Sequence, residues 1–432
     1  MKNDKKVIRS WAFFDWANSA YNLVITSTIF PAYYTIITFT KEHGDQVTFF
    51  GFQFTNTALS NYALSFAYLV MVLVLPIFSS IADNRGNKKA FMKFFTYIGG
   101  FACIGLYFFK LETLEAGIIC FVIAAMGYIG GVLFNNSYLP EIATPDQQDR
   151  VSAKGFAFGY IGSVILQLIC FVFVLKPELF GIVDKSLPAR LSFLLVGVWW
   201  ILFAQIPFRN LPIGNPVSKK VDQGIFKNGF QELSKVWNQL SKMKFMKLFL
   251  LAFFFYSMGV QTIMLAAAGF GEKTLKLGTE KLIAVILIIQ LVAILGAMVM
   301  SYFAKKAGNV KVLIFVVLIW IFACLCGYFV SNEYQFYGLA ALVGLIMGGI
   351  QSLSRSTYSK YIPEDSPDST SFFSFYDVTE KLAIVIGLFS FALIEEVTGS
   401  MRNSIIALAG FFIIGLVFLL SLKKVESKLV EN

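Results

Sequence analysis

Ser79-Ser80-Ile81-Ala82-Asp83-Asn84-Arg85-Gly86-Asn87-Lys88-Lys89 ends one apolar run and opens the next. The layout returns 222 positions later as Ser301-Tyr302-Phe303-Ala304-Lys305-Lys306-Ala307-Gly308-Asn309-Val310-Lys311. A second echo follows in the same order, Tyr138-Leu139-Pro140-Glu141 against Tyr361-Ile362-Pro363-Glu364, at an offset of 223. Two echoes at nearly one offset, about half of the 432 residues, mark a duplicated unit. Two like half-shells around a shared axis suit a carrier, because they can rock about one central site.

The medium around those units follows from composition. The chain is 57% hydrophobic, 16% aromatic and 14% charged, against about 25% charge in ordinary globular chains. Runs long enough to cross roughly 30 Å of hydrocarbon recur near 13–38, 58–82, 90–110, 114–139, 155–175, 190–208, 247–270, 281–304, 311–330, 336–360, 371–394 and 403–422. The expectation is an all-α integral membrane protein with twelve transmembrane helices in two pseudo-symmetric six-helix bundles. The first bundle occupies 1–208 and the second 247–432, with a linker at 209–246. The linker opens on the breaker cluster Leu211-Pro212-Ile213-Gly214-Asn215-Pro216. Beyond it Phe226, Phe230, Leu233, Trp237 and Leu240 recur at helical spacing, with Lys227, Lys235 and Lys242 at other positions. Such a helix lies in the headgroup layer or packs on the protein.

The net charge of +10 is a topology signal. With the amino terminus inside, the inside segments hold 26 Lys and Arg and the outside segments 9. That bias puts both termini in the cytoplasm of a multi-pass protein, with the bacterial inner (plasma) membrane as the expected location. Nucleic acid is therefore not an expected partner; the bilayer is. The five cysteines all fall in apolar spans, with neither disulfide nor metal spacing. The first span is too long for a signal-peptide core and is expected to remain in the mature protein.

Ionisable groups in hydrocarbon normally face a protein interior or a wet cavity. Spans nine (Val312–Val330) and twelve (Asn403–Leu422) carry no charge and can touch lipid, whereas spans one, ten and eleven carry polar stripes. In span one, Asp15, Asn18, Asn22 and Thr26 share a helical face. Span ten contributes Gln351, Arg355 and Tyr358, and span eleven contributes Ser374, Asp377 and Lys381. Asp377 precedes Lys381 by four, the favourable orientation for an ion pair. The three stripes are expected to line one inward-opening cavity, with Gln167, Gln261 and Gln290 deeper. Structural alternatives stand beside each: Asp15 serving the helix dipole, Arg355 snorkelling to phosphate, Asp377–Lys381 as a structural pair, Gln290 as interhelical glue.

Asp83-Asn84-Arg85-Gly86-Asn87-Lys88 resembles the loop motif of the major facilitator superfamily, Gly-x-x-x-Asp-Arg-x-Gly-Arg-Arg/Lys, with Ser79 in place of the leading glycine and the arginine shifted one place to Arg85. Trp11-Ala12-Phe13-Phe14-Asp15-Trp16-Ala17-Asn18-Ser19-Ala20-Tyr21 resembles the opening signature of one branch of that superfamily, the uncharacterised group related to autophagy-linked vacuolar amino-acid effluxers. Residues 138–162, Gln351-Ser352-Leu353-Ser354-Arg355 and Phe372–Gly387 are similar to the same branch. The resemblance implies the major facilitator fold, alternating access, and export of amino acids or similar small polar solutes. It assigns Asp83, Arg85, Gly86 and Lys88 to gating. Lys305 stands where the second half would repeat Asp83, which puts symmetrical gating in question.

The functional expectation is a secondary active transporter, a monomer without cofactor or metal. A zwitterion would meet Arg355 or Lys381 through its carboxylate and Asp15, Asn18 or Asn22 through its amine. Desolvation of Asp377 or Asp15 in one state would admit a coupling proton. No ATP-binding loop is present, so primary pumping is not expected. An enzyme is not expected either: the only histidine, His43, lies in the first outside loop, and no nucleophile–base pair is recognisable. A non-transporting membrane sensor or scaffold with a carrier fold, and an exporter of lipophilic or drug-like compounds, are the competing readings.

Overall fold

The computed structural model describes residues 2–40, 43–214, 225–364 and 366–430. Almost all of it is helical. The chain begins with α1 (Lys5–Tyr21), capped by Asp4, whose carboxylate accepts the backbone N–H groups of Lys6 and Val7; these bonds hold that carboxyl below its usual range. A π-helical turn, Asn22–Thr26, interrupts the rod before α2 (Ile29–Thr38) resumes it. Then come a hairpin of β1 (Gln46–Phe49) and β2 (Phe52–Thr55), α3 (Asn56–Arg85), α4 (Lys88–Gly105), α5 (Leu114–Asn136), the short α6 (Leu139–Ile142), α7 (Pro145–Leu175) and α8 (Leu187–Asn210). The second half holds α9 (Ile225–Lys242), α10 (Lys244–Lys273), α11 (Thr279–Ala307), α12 (Asn309–Phe329), α13 (Glu333–Tyr361), α14 (Ser369–Thr398) and α15 (Met401–Val430).

Among the described residues ten helices are long and apolar enough to cross a membrane, against the twelve spans expected. The two rods that fall short are α1–α2, which is broken, and α14, which carries Asp377, Glu380, Lys381, Glu395 and Glu396. They are also two of the three that bear polar stripes. The outer surface is apolar as a lipid-facing surface should be: Phe315, Phe322 and Phe329 on α12, and Ile413 and Val417 on α15, are exposed. Within the second half, α11 and α13 approach so closely that a Cβ on Gly348 would lie 2.0 Å from the Ala293 carbonyl oxygen; small residues at such crossings let helix backbones touch.

The two halves meet along two seams, α7 against α11 and α3 against α14. The linker helix α9 buries Val236 and Leu240 and lies on α3 and α14. Its Trp237 is exposed yet 5.5 Å from the Phe375 ring, and Lys235 lies 3.5 Å from Asp368. Packing on the protein is thus the observed arrangement for this part of the linker. Asn215, Pro216 and the side chains of Phe226, Lys227 and Phe230 lie outside the described residues.

The hairpin was not expected from the sequence. Phe49 pairs with Phe52 across a two-residue turn in which Phe50 and Gly51 have φ of 47° and 84°, the backbone of a type I′ turn matched to strand twist.

Candidate functional site

The charged stripes meet where α1, α5, α7 and α13 converge. Arg355 is buried there. Its Nη1 donates to Asp15 Oδ2 at 3.0 Å and to Asn136 Oδ1 at 3.1 Å. Its Nε donates to Ser152 Oγ at 3.0 Å and its Nη2 to the Ser152 carbonyl at 2.8 Å. The guanidinium also lies against the rings of Trp11, 4.7 Å, and Phe156, 4.2 Å, so the planar fork is used both for hydrogen bonds and for stacking. Asp15 in turn accepts Asn135 Nδ2 at 3.2 Å. Gly155 makes room: a Cβ there would sit 2.4 Å from Asp15 Oδ2 and 2.7 Å from Arg355 Nη2.

Arg355 therefore does not snorkel, and Asp15 does not merely face a helix dipole. The two form an ion pair between the halves of the chain, 340 positions apart. Around Arg355 the stripes interdigitate and close that end. Asn18 is buried, and its Oδ1 finds no partner among the described residues; Asn22 is half-buried. The π-turn starting at Asn22 takes Asn22 and Thr26 off the straight stripe that uninterrupted α-helical spacing implies. Gln351 accepts Tyr160 Oη at 2.6 Å and donates weakly to Met264 Sδ at 3.5 Å.

Farther along, about 18 Å from the start of α14 at 1.5 Å per residue, lies a charged cluster. Lys381 Nζ donates to Glu380 Oε2 at 2.5 Å, and Gln261 Nε2 donates to Glu380 Oε1 at 3.0 Å. Among the described residues Asp377 and Lys381, expected to pair from their i, i+4 spacing, interact only at longer range and make no direct ion-pair contact. Lys381 turns instead to its sequence neighbour, and both Asp377 oxygens are buried without a hydrogen-bond partner. Glu380, left out of the candidate residues, is the central acceptor. Tyr68 and Tyr128 of the first half come within electrostatic reach of Glu380 and Lys381. A separate cavity of about 50 Å³ in the second half, walled by residues such as Ala266, Val285 and Ile405, is wholly apolar and offers a polar solute nothing.

At the end of the bundle where α1 begins, three further contacts join the halves. Asp83 accepts the backbone N–H groups of Ser371, 2.7 Å, and Thr370, 3.2 Å, and the Ser371 hydroxyl, 2.7 Å. A carboxylate is thus set on the amino terminus of α14, where the free N–H groups and the dipole favour it. Gly86, at φ 61°, ends α3 in the left-handed conformation that this turn needs. Lys88 pairs with Glu141 and lies 4.2 Å from the Tyr138 ring, while Ser369 Oγ donates to Glu141 at 2.9 Å. Arg85 is exposed and takes no part in these contacts.

On the other seam the repeated motif supplies donors and not the acid. Lys360 Nζ donates to Asp149 Oδ2 at 2.6 Å, and Asn309 Nδ2 bridges Asp149 Oδ1, 2.7 Å, and Thr357, 3.0 Å. The acid is supplied by α7, not by the last turn of α11 where Lys305 stands. Sequence reading missed Asp149 and Lys360 because each looks like an ordinary charge in a loop on the basic side; only the repeat of Asn87 as Asn309 hinted that the second loop had a role.

Comparison with known proteins adds three findings. A family model described as "Vacuole effluxer Atg22 like" matches residues 3–431. An "Uncharacterized MFS-type transporter YxiO" of Bacillus subtilis is 30% identical over 97% of this chain and 95% of its own, and an "Autophagy-related protein 22" of Yarrowia lipolytica is 23% identical over 88% and 78%. Among solved structures, the human organic anion transporter MFSD10 superposes with a TM-score of 0.74 at 12% identity, covering 97% of this chain and all of that one. The transporter FucP in its outward conformation gives 0.70 at 13%, covering 97% and 99%. These likenesses carry the fold.

Proposed function

The chain belongs to the Atg22-like family of major facilitator transporters, and from that premise we propose that it moves a small polar solute, an amino acid or related zwitterion, by secondary active transport with alternating access. The rods α1–α2 and α14 also cross, giving twelve spans in two six-helix bundles, 1–208 and 247–432, with 209–246 between them. Both termini face the cytoplasm, and the site of action is the bacterial inner membrane.

Support comes from one observation above all. Among the described residues, every hydrogen bond between the two halves lies from the Tyr160–Gln351 pair toward the end where α1 begins. Among those residues the far end has none. A carrier closed on one side only has this distribution, and the closed side is then the cytoplasmic one. In that state Asp15, Asn18, Gln351 and Arg355 seal the path, with Asp83, Gly86 and Lys88 clamping its rim. Asn22 and the Glu380–Lys381–Gln261 cluster stand nearer the open side. A zwitterion exchanges into that cluster by offering its carboxylate to Lys381 and its amine to Glu380. Asp377 carries the coupling proton. When the halves rock, Arg355 is freed to meet the carboxylate on its way through.

The test is uptake of radiolabelled amino acids by vesicles reconstituted with the purified protein, with peptides and sugars as competitors. Wild type is expected to show counterflow for at least one zwitterion. Lys381→Gln is expected to lose about tenfold or more in apparent affinity, the scale of one hydrogen bond to a charged group. Undiminished counterflow in that variant would remove the cluster from the transport path. Solute binding without any counterflow would make the protein a sensor.

A further inference from the structure

The lateral face where α1, α7 and α8 meet carries a second constellation, distinct from the transport path. On α1, the Arg9 guanidinium lies 5.8 Å from the Phe13 ring, one turn on. On α7, Lys154 Nζ lies 5.7 Å from the Phe158 ring, and Arg150 stands one turn before Lys154, so the three share a face. Phe13 and Phe158 meet edge to face at 5.4 Å and join the two ladders. Behind them Trp16 stacks on Trp199 of α8 at 5.7 Å and 14°. These four rings are half-buried, and Arg9 and Arg150 are exposed.

The three cations have no carboxylate of their own. Arg9 and Arg150 are close enough to repel Lys154, and none of the three forms an ion pair among the described residues. The nearby acids are engaged elsewhere: Asp4 caps α1, Asp15 holds Arg355, Asp146 accepts Thr144 and Gln147, and Asp149 binds Lys360 and Asn309. Three uncompensated cations within reach of one another, beside a half-exposed aromatic floor, call for an anion with an apolar tail. Free phosphate would answer the cations and leave the floor bare.

We infer that this face is a binding site for one anionic phospholipid of the leaflet at the amino-terminal end of α1, its phosphate between Arg9, Arg150 and Lys154 and its acyl chain along Phe13, Phe158 and Trp16. Basic pockets between helices bind such headgroups in this way, and the aromatic faces hold both the cations and the chain.

The purified, delipidated protein is titrated in detergent with phosphatidylglycerol or with phosphatidylcholine of the same acyl chains, reading bound lipid by native mass spectrometry and melting temperature in parallel. Phosphatidylglycerol is expected to bind with preference and to raise the melting temperature, phosphatidylcholine and inorganic phosphate to do neither. The preference is expected to fall about fivefold for each cation removed in Arg9→Gln, Arg150→Gln and Lys154→Gln, singly and combined, about 1 kcal/mol per charge. Lys185→Gln, an exposed cation at the opposite end, is expected to leave it intact. If the triple variant does not fold, the single variants alone decide. Equal binding of the two lipids, retention of the preference in the variants, or a shift reproduced by inorganic phosphate would overturn the assignment.

Discussion

At the scale of single residues, Arg355 shows how the interior handles a cation. Four hydrogen bonds and two ring faces satisfy it, and Asp15 neutralises it. Removing one partner strands the other. Asp15→Asn or Arg355→Gln is expected to destabilise the closed end by about 3–5 kcal/mol, the cost of an uncompensated buried charge. The reporter is Ser352→Cys in a background without the five native cysteines: buried in the wild-type seal, it should react with a membrane-impermeant thiol reagent far faster in either variant. Gly155→Ala should act in the same direction with both charges present, because its Cβ would need the space of Asp15 and Arg355; overpacking of this kind costs about 1–3 kcal/mol. Both ionisable residues were recognisable in the sequence as polar groups inside apolar spans. Their pairing was not, because nothing local relates two residues on opposite halves. For Lys381 the local rule pointed the wrong way: helical spacing allows Asp377, but the carboxylate of Glu380 is also in reach and Gln261 holds it in place.

At the scale of elements, hydrophobic runs located the rods well, since apolar length is what a bilayer demands. They missed the break in the first rod. The π-turn frees backbone carbonyls, and side chains answer them: Thr28 Oγ1 lies 2.7 Å from the Leu23 carbonyl and 2.8 Å from Gln167 Oε1, and Ser27 Oγ donates to the Asn22 carbonyl at 2.9 Å. Thr28→Val keeps the shape and deletes the hydroxyl. It is expected to lower stability by about 1 kcal/mol, one hydrogen bond, read as a fall in melting temperature, whereas Thr35→Val, on an exposed turn of α2, should change it little. The hairpin was equally hidden. Its strands are four residues each, too short for alternation to stand out beside long apolar runs, and its turn is signalled only by Gly51.

At the scale of the whole molecule, the two seams are clamped by different chemistry. One uses an acid in the last turn of α3 against the amino terminus of α14; the other uses an acid on α7 against Lys360 and Asn309. The expectation of a duplicated unit rests on the loop echoes. The change of acid was not legible, because Lys305 announces only that the acid is missing, and its replacement comes from the other half. A rigid rocking motion must release both clamps together, whatever solute passes. Asp83→Asn and Asp149→Asn should therefore each speed thiol labelling at the Ser352→Cys reporter, and the double variant should show the product of the two accelerations, as independent contacts biasing one two-state equilibrium require. A double variant no faster than the quicker single one would mean that the seams open separately, and that the halves do not move as two rigid bodies.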